Sequence, residues 1–337
     1  MIPLPISPFT TPDMSQPILI IPRPNSTPNP TPPPIPGPPE PSFTHTFGPL
    51  LPTAQYLPTA IGKAAYYDFP PLSPHPSHRI LLIHGIQTPA LGLLPLTRAL
   101  HTHFPAAHIV LFDHWGHGLS DTPLAPHVPA LFHGLIDDLL DHLSWASAHV
   151  VGYSFGGALA VGYAATRTSR VQSFVLVAPA GLIRRKGFDE RGQALLAEEG
   201  ERDEGAARDF IIHNVLEGGG LVVPADWEER VKRGEVVAQA VREWQMREHR
   251  GHAASVVAIF RDGGVMDNDE VFVKAAETGV PNLVVLGETD DVCSKAQLEA
   301  LGYRDVEIVA GAGHGVVRDK ATEVAEYITK FWEKIGE

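Results

Sequence analysis

The sequence predicts an α/β protein: a doubly wound, mostly parallel sheet interrupted once by a helical insertion. Three observations predict it. Continuous apolar runs such as HIVLF at 108–112 suit strands buried on both faces. These runs alternate with segments of helical spacing, the rhythm of βαβ units. The rhythm breaks between about Arg184 and Arg250, where charges of both signs are frequent and no convincing strand occurs.

The elements follow in order. Gly62–Phe69 and Arg79–Ile83 read as strands, being short, rich in aromatic or β-branched residues and bounded by turn formers. Leu91–His101 has helical spacing, and His108–Phe112 is the buried strand already quoted. A helix is expected near Ala130–Leu143, a strand at His149–Gly152, a helix at Gly156–Arg167 and a strand at Ser173–Ala178. Helical periods such as Val236–Glu248 fill the insertion. The alternation then returns with strands at Asn282–Leu286 and Asp305–Val309 and a last helix at Lys320–Ile335. The division expected is a core of 43–183 with 251–337, and a helical cap at 184–250.

Residues 1–42 stand apart. Of 32 prolines, 16 lie between Pro3 and Pro41, a composition that favours extended backbone and offers little to a core. This predicts a disordered tail, with use as a ligand for an SH3- or WW-type partner as the alternative. No basic residue precedes Arg23 and the apolar patch Ile18–Ile21 is short, so no secretory signal is expected.

Bulk composition excludes several classes. Among 337 residues, 26 Lys+Arg against 39 Asp+Glu leave a net charge of −13, which disfavours nucleic-acid or anionic-membrane partners. A single cysteine, Cys293, can form no internal disulfide and no multi-thiolate zinc site. No apolar run reaches the ~18 residues of a membrane span. A cytoplasmic location is expected.

The strongest chemical signal is Gly152-Tyr153-Ser154-Phe155-Gly156, a G-x-S-x-G between a strand and a helix. That context makes a nucleophile elbow, in which Ser154 occupies a strained turn and the glycines let backbones approach. A serine needs a base. His314, in Gly311-Ala312-Gly313-His314-Gly315, follows the strand Asp305–Val309 and so sits at the carboxyl edge of the sheet. An acid must orient the imidazole. Gly287-Glu288-Thr289-Asp290-Asp291 offers three; Asp290 is favoured by position, with Glu288 and Asp291 its competitors. Oxyanion donors are expected from the backbone of Phe155 and, after Ile83, of Ile86 in His84-Gly85-Ile86-Gln87.

Together with the turn Asp113-His114-Trp115-Gly116-His117-Gly118-Leu119-Ser120-Asp121, these pieces resemble the α/β-hydrolase superfamily over roughly residues 60–337. The resemblance places the acid third after Gly287, which is Asp290. It gives the 113–121 turn an architectural role, with Trp115 where the family carries proline and His117 as a structural residue. Serine at position 154 departs from the dehalogenases and epoxide hydrolases of the superfamily, which carry aspartate there. The implied protein is a capped serine hydrolase cleaving an ester or related acyl bond of a small substrate through an acyl-enzyme, without cofactor. Acyl transfer, peptide or carbon–carbon hydrolysis, and a hydrolase-derived ligand receptor are the alternatives.

Three lesser features are read as structural. Gly218-Gly219-Gly220 lacks the lysine of a phosphate loop and suits a hinge. Arg184-Arg185-Lys186 is expected to be a solvated run, and Cys293 a small core residue. No histidine spacing suggests a metal site.

Overall fold

In a computed structural model, which describes residues 18–26, 32–74, 77–197 and 203–337, eight strands form one sheet. They are β1 (Gln55–Thr59), β2 (Gly62–Phe69), β3 (Arg79–Ile83), β4 (His108–Phe112), β5 (Ala148–Tyr153), β6 (Val171–Val177), β7 (Asn282–Gly287) and β8 (Val306–Val309). Their order is β1-β2-β4-β3-β5-β6-β7-β8, antiparallel between β1 and β2 and between β2 and β4, parallel elsewhere. Strand β1 escapes the sequence pattern because Pro58 breaks its alternation; an edge strand tolerates the missing N–H.

Helices cover both faces. The helices Pro129–His142, Phe155–Thr166 and Asp269–Ala276 bury Leu139, Leu159 and Phe272 on one side. The helices Leu94–His103 and Ala321–Ile335 bury Leu100 and Trp332 on the other. The order reverses between β3 and β5, whose residues Ile83 and Gly152 are neighbours. A crevice therefore opens beyond the carboxyl ends of these two strands, the usual ligand position in open α/β sheets.

The segment between β6 and β7 carries helices, and beyond residue 250 it continues as His252–Asp262, whose Phe260 ring packs 6.4 Å from that of Phe188. One expectation needs correction. It concerns the proline-rich segment, whose described residues pack on the domain. Ile21 is buried against Ala254 and Ala258, and Arg23 pairs with Asp262 at 2.8 Å. Ile35 bridges Thr122, and the Gly37 N–H donates to Asp121 Oδ1 at 2.9 Å. A helix at Glu40–Phe47 then buries Phe43 and Phe47 beside Trp244. Extended proline-rich backbone has few amide donors to satisfy, so it can lie along a surface with sparse apolar residues as pegs. Residues 1–17 and 27–31 of the expected tail lie outside the described residues.

Dispensability of residues 1–42 is accordingly not expected. Losing the buried Ile21 and the Glu40 carboxylate that accepts the Ala54 N–H at 2.9 Å should cost roughly 3 kcal/mol, about 6 °C or more in Tm. Calorimetry on a chain starting at Ser42 checks this, and an unchanged Tm would contradict it.

Candidate active site

Ser154 directly follows β5 and caps the helix Phe155–Thr166 with φ 54° and ψ −117°, a conformation costly for any residue but glycine. The turn is possible because its flanks are glycines. A Cβ on Gly156 would lie 2.0 Å from the Ile83 carbonyl oxygen, and one on Gly152 2.2 Å from that of Gly156. The result is a half-buried Oγ standing above the sheet at the amino end of a helix.

His314 and Asp290 reach this serine from the loops after β8 and β7. The backbone ties those loops together: the Glu288 N–H donates to the Val309 carbonyl at 3.0 Å and the Thr289 N–H to that of Ala312 at 2.9 Å. Ser154 Oγ lies 3.0 Å from His314 Nε2, and His314 Nδ1 lies 3.2 Å from Asp290 Oδ1. A proton on Nδ1 satisfies both contacts: Nδ1–H donates to the carboxylate and Nε2 accepts from the serine. The Asp290 carboxylate is 1% exposed and also accepts the Val292 N–H at 2.9 Å. The competing acids stay outside. Glu288 accepts the Gly311 N–H at 2.8 Å on the surface, and Asp291 is exposed.

The two expected oxyanion donors stand on segments adjoining Ser154. The Phe155 N–H opens its helix and so has no intrahelical acceptor. Ile86 lies on the loop after β3, which presses on the serine: a Cβ on Gly85 would stand 2.9 Å from Ser154 Cβ. What holds this loop was not legible in the sequence. Gln245, from the helix Ala238–Glu248 of the insertion, donates to the Gln87 carbonyl at 2.6 Å and accepts the Gly118 N–H at 2.8 Å. Gln87 itself takes φ 64°.

Beneath the loop lie His84, His114, His117 and His252, all buried. Burial pushes each imidazole down, His114 to about 4 and His252 to about 3, so all four are neutral. His84 Nδ1–H donates to the Gly85 carbonyl at 2.7 Å while its Nε2 accepts the His114 N–H at 2.9 Å. His117 accepts the Gln87 N–H at 3.4 Å and takes no part in the Ser154–His314–Asp290 chain of contacts. Asp113 anchors the neighbouring turn by accepting from Ala90 N, Leu119 N and the Tyr67 hydroxyl. Burial raises its carboxyl to about 6 against those hydrogen bonds.

The remaining candidates fall elsewhere. The Cys293 thiol is buried and burial pushes it up to about 12, so it is no nucleophile. Arg184 forks onto Asp269 and lies near Asp267, an ion pair at the base of the insertion. Gly218, Gly219 and Gly220 all have positive φ in an open turn. Among the described residues, one group could hold a metal ion: His78, His149 and Glu337, with ligand atoms within 4.8 Å of one another. His149 begins β5 while Ser154 follows its end, so that group lies at the opposite edge of the sheet. No described helix is long and apolar enough to cross a membrane.

Comparison with known proteins agrees with this architecture. Over 275 residues the chain is 26% identical to a Bacillus subtilis (strain 168) protein named for 2-succinyl-6-hydroxy-2,4-cyclohexadiene-1-carboxylate synthase activity, covering 78% of this chain and 93% of that one. The enol-lactonase from Burkholderia xenovorans LB400 superimposes with a TM-score of 0.61 at 22% identity, covering 83% of this chain and all of the other. The meta-cleavage product hydrolase from Pseudomonas fluorescens IP01 gives 0.58 at 20% identity, with 84% and 98% covered. Residues 79–317 match the family model for the alpha/beta hydrolase fold, and the chain is an enzyme of that family.

Proposed function

We propose that this hydrolase cleaves an ester or related acyl bond of a small substrate, with Ser154 as nucleophile, His314 as base and Asp290 as the acid that orients it. The observation that carries the reading is the unbroken contact chain Ser154 Oγ, His314 Nε2, His314 Nδ1, Asp290 Oδ1, at 3.0 and 3.2 Å. His314 takes the serine proton as Oγ attacks the acyl carbon. The backbone N–H groups of Phe155 and Ile86 hold the developing oxyanion, and the imidazolium then protonates the leaving group. Water, deprotonated by His314, releases the acid and restores the serine. The chemistry draws on side chains and backbone alone.

The insertion serves as the cap in this reading. Its Gln245 grips the oxyanion loop and none of its residues belongs to the reacting set, so it governs access and substrate shape. The experiment is hydrolysis of short-chain p-nitrophenyl esters by the wild type and by Ser154→Ala. Loss of at least about 10³ in kcat is expected for the variant, with its circular dichroism unchanged. Comparable rates for the two proteins would refute the nucleophile.

A further inference from the structure

We propose that Arg242 and Arg318 form an anion-binding subsite beside His314, and that the substrate is an ester carrying a free carboxylate. The inference rests on the hydrolase reading above and adds the substrate class to it.

Arg318 lies four residues after His314. Its guanidinium carbon is 5.4 Å from the centre of the Tyr153 ring, which itself lies 5.4 Å from that of His314. Its Nη2 is 3.4 Å from where a Cβ on Gly315 would stand, so the group lies over the backbone next to the base; Asp319 Oδ2, 2.7 Å from the same point, forms no ion pair with it. Arg242 comes from the opposite side, on the cap helix Ala238–Glu248. Gln245 is three residues on and shares its face of the helix, and Gln245 is the residue clamped to the oxyanion loop. Arg318 thus adjoins the proposed base, and Arg242 stands on the helix that grips the loop beside Ser154.

Neither has the carboxylate partner that several other arginines possess. Arg167 holds Asp137, Arg170 holds Asp141, Arg184 holds Asp269 and Arg261 holds Glu204. Among the described residues Arg242 and Arg318 make no ion pair, and Arg242 Nε and Arg318 Nη1 are buried without a hydrogen-bond acceptor. Burial and then the Arg318 charge both lower the pKa of Arg242, the direction expected when a like charge stands nearby. Glu217, the acid whose charge reaches Arg242, is spent on Gln87 at 3.3 Å and His213 at 3.2 Å. Arginines that form no ion pair with a carboxylate of the protein are complementary to one on a substrate, in fork geometry. With a net charge of −13 the molecule as a whole repels anions, so such recognition has to be local.

The test uses matched esters: p-nitrophenyl monoesters of succinate, glutarate and adipate against butyrate, valerate and hexanoate, and para-acetoxybenzoate against phenyl acetate. The wild type should favour at least one charged member in kcat/KM by about tenfold or more. In Arg242→Gln and Arg318→Gln that ratio should fall to about one, with lysine at either position restoring part of it. No charged preference in the wild type, or variants that lower both members of each pair equally, would overturn the subsite. Phosphonate labelling of Ser154 in the same samples separates this failure from failure of the nucleophile. Should Ser154 resist labelling, calorimetry with glutarate still decides: binding weakened more than tenfold in both variants upholds the subsite, and unchanged binding overturns it.

Discussion

Asp290→Asn should keep the fold and lose on the order of 10⁴ in kcat, the cost of presenting the wrong imidazole tautomer to a serine. An asparagine amide in that place can still accept or donate one bond, but it no longer fixes the proton on His314 Nδ1 or stabilises the imidazolium. The carboxylate is 1% exposed, so neither solvent nor salt can replace it. The neighbouring acids provide the control. Asp291 is exposed, and Glu288 holds only the Gly311 N–H at 2.8 Å. Asp291→Asn and Glu288→Gln should therefore stay within about tenfold of wild type, the equivalent of about 1.4 kcal/mol of barrier. The measurement is kcat on one reactive ester, with circular dichroism as the folding check. A large loss in Asp291→Asn beside a mild one in Asp290→Asn would shift the acid by one residue.

Mild acid should unfold the protein, with a midpoint near pH 5. Burial holds His114, His127, His133 and His149 at about 4 and His252 at about 3, and pushes His84, His117 and His249 down as well. The sign follows from linkage. In the unfolded chain these imidazoles titrate near 6.5, so below that pH it binds protons that the folded state refuses. Their contribution is complete above pH 6.5 and is lost as the pH falls toward the folded values. At pH 5 each costs about 2 kcal/mol, so five together reach about 10 kcal/mol, comparable with the whole stability of a domain. Asp113 opposes this with one proton, since its carboxyl is raised to about 6 and stabilises the fold as pH falls between 6 and 4. One group does not outweigh five. Tryptophan fluorescence against pH should show a cooperative transition taking up several protons. A native signal persisting at pH 4 would contradict the neutral-histidine picture.

Much of this molecule is legible in its sequence, and the reason is local. Strands β2 to β8 are apolar runs with turn formers at their ends, and Ser154, Asp290 and His314 each follow a strand within a few residues. Position along the chain thereby fixes position on the sheet edge. What escaped depends on contacts between distant residues. The helix Glu40–Phe47 carries its signal, Phe43 and Phe47 at one-turn spacing, but proline density masks it. The helix His252–Asp262 is buried on most sides, which leaves its sequence silent on whether it belongs with the insertion or the core. Gln245 on Gln87 spans 158 residues, and the proposed pairing of Arg242 with Arg318 joins the helix Ala238–Glu248 to the short helix Val316–Asp319 after β8. No spacing rule reaches such pairs. Nor does the sequence reveal that so many histidines are buried and neutral, since histidine reads as polar wherever it stands.

The central claim is that Ser154 is an activated nucleophile. The most direct measurement is intact mass after exposure to a small fluorophosphonate, followed by peptide mapping. One adduct per chain, on the peptide bearing Ser154 and missing from a folded Ser154→Ala variant, is the expected result. An unmodified wild type, or an adduct that survives the substitution, would contradict it.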